Sequence, residues 1–526
     1  MPNLRLLLLC SVTTVTIISN AFSQAWYRLY GFQSASNSIN ALYCDEHENL
    51  WVAGYHYDSL VIFDTLLRSN GSSDCFFMKT SDSGRVKMAY TFGSTGKDAI
   101  GDILIKPDGN LVVTGTFQKT MFLGDTSLTA PTSESFFIAE FTDDTTPVWT
   151  AVNSAYYGMA LAGSTNGSVA VAGQLFDTAV IVPGDTLFGS GEQDMFLALY
   201  SKDGTPRWAI SAGGRTQDLV AAVAFTAPDR IAFAAGFKDT LRFRDTLFAP
   251  SSVSEQSMLA VFDTTGTAIW YRPLLSDGTV LLRSMAADSE GALYLAGRFS
   301  GIMTIDTATL TSTGEFSLFI VCLHPDGTFS WAHTSDLVDA NNIVVGEDDN
   351  LYLSGNFKKN AVFGDSLYDA YDIEDVYLCS YTRDGTFRWV STAGGCRASY
   401  GRKAAFRGNH CYIAGSTDAD LISKSCTMHF DGLDLSYAQS DRGRTFIAFL
   451  DHTLPPGSSI LQPPSFTRRC GDPATGGIQR WYDLLGREIT GTVTGIDRHR
   501  TQHLFTLHGI LIEQNPGNGK SSVHLH

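Results

Sequence analysis

Seven aspartates recur at one place in a repeated phrase: Asp64, Asp125, Asp185, Asp245, Asp306, Asp365 and Asp431, six of them followed by Thr or Ser. Carboxylate oxygens are what a hard cation such as calcium selects. A calcium site, however, gathers six to eight oxygens at one point, and each repeat offers one dependable carboxylate. The competing role is a turn cap, the carboxylate accepting backbone N–H groups two residues on, and that is the role expected here. No catalytic, metal or cofactor residue is therefore assigned, and calcium is the one cofactor the sequence leaves open.

Other chemistry has less support. The chain lacks the G-x-S-x-G elbow of acyl-transfer hydrolases and the H-E-x-x-H zinc helix. Its twelve His are scattered, five of them in the last 28 residues. Beyond Cys10 there are eight cysteines, Cys44, Cys75, Cys322, Cys379, Cys396, Cys411, Cys426 and Cys470, with no C-x-x-C spacing. An even count permits disulfides in an exported chain, while buried thiols satisfy the same count. The net charge is −17, and residues 24–454 carry −20 of it. Such a body repels phosphate backbones, so nucleic acid is excluded as a partner class.

The elements that must position any site are legible as a repeat, the first thing to seek in a long chain. LWVAG ends at Gly54, LVVTG at Gly115, VAVAG at Gly173, IAFAAG at Gly236, LYLAG at Gly297, LYLSG at Gly355 and CYIAG at Gly415, at spacings of 58 to 63 residues. Trp149, Trp208, Trp270, Trp331 and Trp389 run in phase, with Met88 and Trp26 at the two earlier positions. Asp203-Gly204, Asp326-Gly327 and Asp384-Gly385 stand four to five residues before their Trp, and Asp-Gly between β-rich runs signals a hairpin. One unit reads as strands over 196–201, 207–211, 219–225 and 231–237. The third of these is apolar enough to predict burial on both faces.

Four short strands repeated every ~60 residues make a propeller blade. The phase of the ends predicts closure: Ala25 to Gly31 reads as the Trp-bearing strand that the last repeat lacks, so it completes that blade and leaves no open edge. The expected fold is all-β, a seven-bladed β-propeller of four-stranded blades closed by the N-terminal strand. The Trp residues are expected to be packing anchors between blades. The long inserts between second and third strand, such as 238–256, are expected to decorate a binding face near the channel.

These elements (the AG phrase, D-x-F, DG-x-x-x-W and AGG) resemble the seven-bladed β-propeller (SBBP) repeats of bacterial exported proteins over residues 25–454. The resemblance implies a fold and a compartment rather than one activity. The Asp-Gly turn is also similar to the Asp-box of sialidases, although Asp and Gly are adjacent here. The vicinal cysteines typical of pyrroloquinoline-quinone dehydrogenases are missing.

The ends have their own signatures. Arg5, the apolar stretch Leu6 to Ile18 and Ala21-Phe22-Ser23 form a signal peptide over 1–23. No later run is apolar enough for a transmembrane helix. Residues 455–475 are a linker rich in Pro, Gly and Ser. Residues 476–526 are expected to form a small β-sandwich-like domain. The phrase Tyr482-Asp483-Leu484-Leu485-Gly486-Arg487-Glu488, followed by Gly509-Ile510-Leu511, resembles the sorting domain of the type IX secretion system, with Leu511 where Tyr is usual. That resemblance implies transport across the outer membrane, to release or surface attachment. The functional expectation is a monomeric, non-enzymatic binding or structural scaffold with a protein or glycan ligand. The alternatives are a polysaccharide hydrolase or lyase, which requires two central carboxylates, and an adhesin-like spacer.

Overall fold

The computed structural model describes residues 25–451 except 35–36, 63–64, 83, 244–245, 250–253, 419–425, 431–432 and 438–443, together with 481–482, 488–489, 510–514 and 521–525. Residues 1–23, expected to be a signal peptide, residues 455–475, expected to be a linker, and Asp64, Asp245 and Asp431 lie outside the described residues. The chain divides into two compact units, 1–462 and 463–526. Of the second, the described pairs are Trp481–Tyr482 with Glu488–Ile489, and Ile510–Gln514 with Ser521–Leu525. Asp483, Gly486, Arg487 and Gly509 fall outside them. Among the described residues no helix is long and apolar enough to cross a membrane.

The first unit is a seven-bladed β-propeller. Blade 2 shows the plan: Ala99–Ile105, Leu111–Phe117, Ser135–Phe141 and Pro147–Asn153 pair antiparallel in that order, from the channel outward. The second and third strands are buried at all seven positions, because each sheet is packed on both faces by neighbouring blades. In blade 4 this burial belongs to Arg230–Phe237 and Gln256–Asp263. The strand expected to be buried on both faces, Leu219–Ala227, is instead the inner strand, with Leu219 exposed and Ala221 half-buried. Its apolar composition misled because one of its edges faces the channel.

Closure occurs as the phase predicts. Ala25–Gly31 pairs antiparallel with Thr445–Asp451, completing the sheet whose inner strand is Ala398–Arg407. The register differs by two residues from the sequence reading. Where Trp149 faces Glu140, it is Arg28 that takes the equivalent place, opposite Phe449, and Trp26 faces Leu450 one step earlier. Tyr30 then makes the contact to blade 1, its ring lying against Gly84, where an added Cβ would come within 2.3 Å of the phenol oxygen.

That contact repeats around the ring and explains why Asp-Gly and Trp travel together. Trp208, Trp270 and Trp331 each donate their indole N–H to a carbonyl in the turn of the next blade, at Thr264 (2.9 Å), Pro325 (3.3 Å) and Arg383 (3.2 Å). The glycine of that turn lies under the indole: at Gly327 (φ +85°) a Cβ would stand 2.9 Å from Trp270. Gly327→Ala therefore meets both a left-handed backbone and a clash. We expect it to lower stability by at least about 1–2 kcal/mol, read as a reduced urea midpoint at unchanged slope. Trp149 departs from the pattern by donating to Glu140 of its own blade while stacking on Tyr200 of the next at 9°.

Glu140 also receives Lys106, whose Nζ lies 3.0 and 2.9 Å from the two carboxylate oxygens and 3.2 Å from the carbonyl of Lys202 in blade 3. Both side chains are almost fully buried, at 3% and 2%. Removing one partner of a buried pair strands the other charge, so Glu140→Ala should cost about 3–5 kcal/mol. The double variant Lys106→Met/Glu140→Leu should recover most of that loss in the same denaturation experiment.

Of the cysteines, Cys396 and Cys426 form a disulfide with Cα atoms 5.4 Å apart. It ties the loop entering the inner strand of blade 7 to that blade's inserted hairpin. Cys44, Cys75, Cys322, Cys379 and Cys411 are buried thiols.

Candidate binding site at the channel mouth

The seven inner strands are Asn37–Cys44, Ala99–Ile105, Tyr157–Gly163, Leu219–Ala227, Val280–Ala287, Val338–Val345 and Ala398–Arg407, each packed against the next in a closed ring. In every one, the register to the second strand slips by one residue at the same place. The unpaired residues are Asn40, Gly101, Met159, Ala221, Arg283, Asn341 and Arg402. A β-bulge re-aims the extra residue, and all seven line one cavity of about 420 Å³ at the mouth of the channel.

The repeated AG glycine sits opposite this slip. At Gly54, Gly115, Gly297 and Gly355 an added Cβ would fall 1.9–2.0 Å from a carbonyl oxygen of the inner strand, so in these four blades the close approach beside the bulge requires glycine. Blade 4 corrects the sequence register. There Ala235 pairs beside the bulge, and Gly236 is displaced by one, with its nearest neighbour at 3.7 Å.

The ring is held rigid by bonds between blades. Asn40 Nδ2 donates to Ile100 O (2.7 Å), and Asn341 Nδ2 to Gly401 O (3.1 Å). The residue after the bulge accepts a backbone N–H from the next blade in three cases: Asp102 from Leu161 (2.8 Å), Ser284 from Ile343 (3.2 Å) and Asn342 from Ala404 (2.9 Å). Burial raises the Asp102 pKa, and Lys403 opposes that rise.

The loops at the mouth are clamped by buried carboxylates that the sequence reading did not single out. Asp98 takes the backbone N–H of Ser94 (2.5 Å) and Gln118 (3.1 Å); Asp218 takes those of Gly214 (2.6 Å) and Lys238 (3.4 Å). The AGG phrase serves the same clamp: a Cβ on Gly213 would be 1.6 Å from Asp194 Oδ1, and one on Gly394 1.9 Å from Asp375. Desolvation raises Asp218 to about 7, with Asp194 adding to the rise, and raises Asp98 and Asp375 to about 6. Their folded pKa values lie above that of an unfolded Asp, near 3.9, so the folded state binds more protons between the two. Stability should therefore rise as pH falls from 8 towards 5.5. A thermal-unfolding series across that range checks this, and Asp218→Asn should flatten its upper part.

The other sequence-predicted features lie elsewhere. Asp125, Asp185, Asp306 and Asp365 stand one per blade on exposed hairpin tips. Among the described residues no group of three or more metal-ligating side chains converges. The capping expected of these aspartates is performed by others: Asp45 Oδ1 accepts from His47 and Asn49 (2.9 Å each), and Asp263 Oδ1 from Thr265 and Thr267 (2.9 Å each). Asp306 instead bridges to Arg272 and accepts the N–H of Phe329.

Apart from Glu255, at the end of the 238–256 insert, the inserts do not build the concave face. They fold into two-stranded hairpins that lean outward onto the outer strand of the preceding blade. Arg242, for example, exchanges backbone bonds with Gly213 at 2.8 and 3.2 Å. Alternation explains the tilt: Leu241 and Phe243 are buried in the seam between blades, while Leu247 faces solvent. The concavity belongs to the inner strands. Nothing in a hairpin phrase announces the bulges, yet each lies fourteen residues before the position that faces the slip in the second strand, or thirteen in the last blade.

The chain thus has the architecture of a β-propeller with a cavity of mixed polar and apolar lining at the channel mouth. Solved structures with similarity to it include the Dos1 propeller (TM-score 0.39, 9% identity, covering 82% of this chain and 95% of that one). The RRP9 WD40 repeats give a TM-score of 0.42 at 10% identity, covering 82% and 99%. U3-55K gives 0.41 at 10%, covering 80% and 98%. No protein-family model and no curated protein matches the sequence.

Proposed function

We propose that this chain is a secreted or cell-surface binding or structural scaffold, non-enzymatic, that holds its ligand at the mouth of the channel. The observation that carries the reading is the ring of seven bulged residues. Seven equivalent positions hold five different residue types, so the ring is uniform in backbone and individual in chemistry. Bulges of this kind are devices for aiming side chains, and propellers commonly bind where loops from several blades converge. The ligand is a protein or a glycan; the acidic body disfavours nucleic acid. Among the described residues Glu255 is the single carboxylate lining the cavity, whereas glycoside hydrolysis needs two, which weighs against the hydrolase alternative. Export is supported by the signal-like residues 1–23 and by the YDLLGRE phrase, which points to a type IX-like route. One chain suffices to close seven blades, which supports a monomer.

Ala221 is half-buried on the ring and makes no side-chain hydrogen bond, so Ala221→Trp should plug the cavity without touching its polar groups. We expect the mature chain, screened on glycan and peptide arrays with and without calcium, to show selective binding that Ala221→Trp abolishes. Selective binding that survives the plug would remove the channel mouth as the site.

A further inference from the structure

The cavity is charged against the rest of the chain. Overall there are 37 Lys and Arg to 54 Asp and Glu, yet the lining holds Arg283, Arg402 and Lys403 against the one carboxylate of Glu255. Among the described residues none of these three cations has a carboxylate within ion-pair distance. Arg402 uses Nε on Ser416 Oγ (2.9 Å), which leaves its terminal nitrogens for other partners. The acids that feel Arg283 and Lys403 from further away are Asp339 and Asp102. Asp339 is already bridged to Arg298 at 3.1 Å, and Asp102 accepts the N–H of Leu161. Arg402 also lies over the ring of Tyr400, 5.8 Å from its centroid. In an acidic protein, cations gathered in a recess without a carboxylate partner form a local well for an anion, and the arginine fork matches a carboxylate.

The ring is also two-sided. Going round from blade 5, Arg283, Asn341, Arg402 and Asn40 make a polar arc. Gly101, Met159 and Ala221, on blades 2 to 4, make a small apolar one. A volume of about 420 Å³ lies at the lower end of small-ligand pockets, roughly 300–1,000 Å³. That admits a chain end and excludes a folded surface.

We infer that the channel mouth binds the free C-terminal residue of a partner polypeptide. Its α-carboxylate lies against Arg283 and Arg402, and its apolar side chain lies on Met159 and Ala221. Carboxylate and side chain diverge from one Cα, so a chain terminus meets both arcs at once. This inference rests on the reading of the channel mouth as the binding face.

The test is a titration of the mature chain with synthetic peptides varied at the last residue, each as free acid and as C-terminal amide. Binding is read by saturation-transfer NMR and calorimetry. Free acids ending in Leu, Ile, Val, Met or Phe should bind at least tenfold tighter than their amides. Arg283→Gln and Arg402→Gln, both at exposed positions, should each weaken the free acid roughly tenfold and leave the amide unchanged. Equal binding of acid and amide, or indifference to both arginines, would overturn the inference. If Ala221→Trp still removes that binding, the channel reading survives. Binding untouched by the plug would sink both, whereas failure of every free acid to bind the wild-type chain would overturn the inference alone. Binding only of uronate-bearing glycans would overturn the peptide assignment alone.

Discussion

Everything in the propeller depends on closing the ring. Seven sheets can lean on one another indefinitely in a helical stack unless the last meets the first. The pairing of Ala25–Gly31 with Thr445–Asp451 makes them meet. It joins residues more than four hundred apart with ordinary backbone hydrogen bonds, each worth only about 0.5–1.5 kcal/mol net. Its leverage is geometric. Closure sets how near the inner strands approach, and so determines whether seven bulges face one cavity.

The second layer of order is the exchange between neighbouring blades. A Trp or Tyr from one blade lies on a turn glycine of the next, inner-strand side chains catch backbone N–H groups across the seam, and buried carboxylates clamp the loops at the mouth. Several of these clamps keep groups in conditions that water would oppose, such as the Lys106–Glu140 pair and the raised Asp218. The ring therefore trades some stability for fixed loop positions around the cavity. The five buried thiols are packing groups, and the disulfide sits in the blade where the chain closes on itself.

Most of the fold is legible in the sequence because it is carried by local, repeated signals. Turn glycines, in-phase Trp residues and the AG phrase mark blades, count them and foretell the closing strand. What is not legible depends on register. A one-residue slip moves side chains between faces; the AG glycine marks the strand facing each slip, but neither the residue extruded there, such as Asn40 or Arg402, nor the two-residue offset that puts Arg28 in the place expected of Trp26 is written in composition. The inserts misled for a related reason. Their length suggested a decorated face, but alternating apolar residues such as Leu241 and Phe243 pull them into the seams between blades. The site itself was invisible as a motif, since its seven residues share a backbone position rather than a chemistry.

The most direct test of the account is amide hydrogen exchange on residues 24–526 with and without residues 24–31. Closure by that strand predicts that its removal strips protection from the inner strands of blades 7 and 1, Ala398–Arg407 and Asn37–Cys44, well beyond its own partner Thr445–Asp451, and opens the channel mouth. Loss of protection confined to Thr445–Asp451, with both inner strands unchanged, would contradict it.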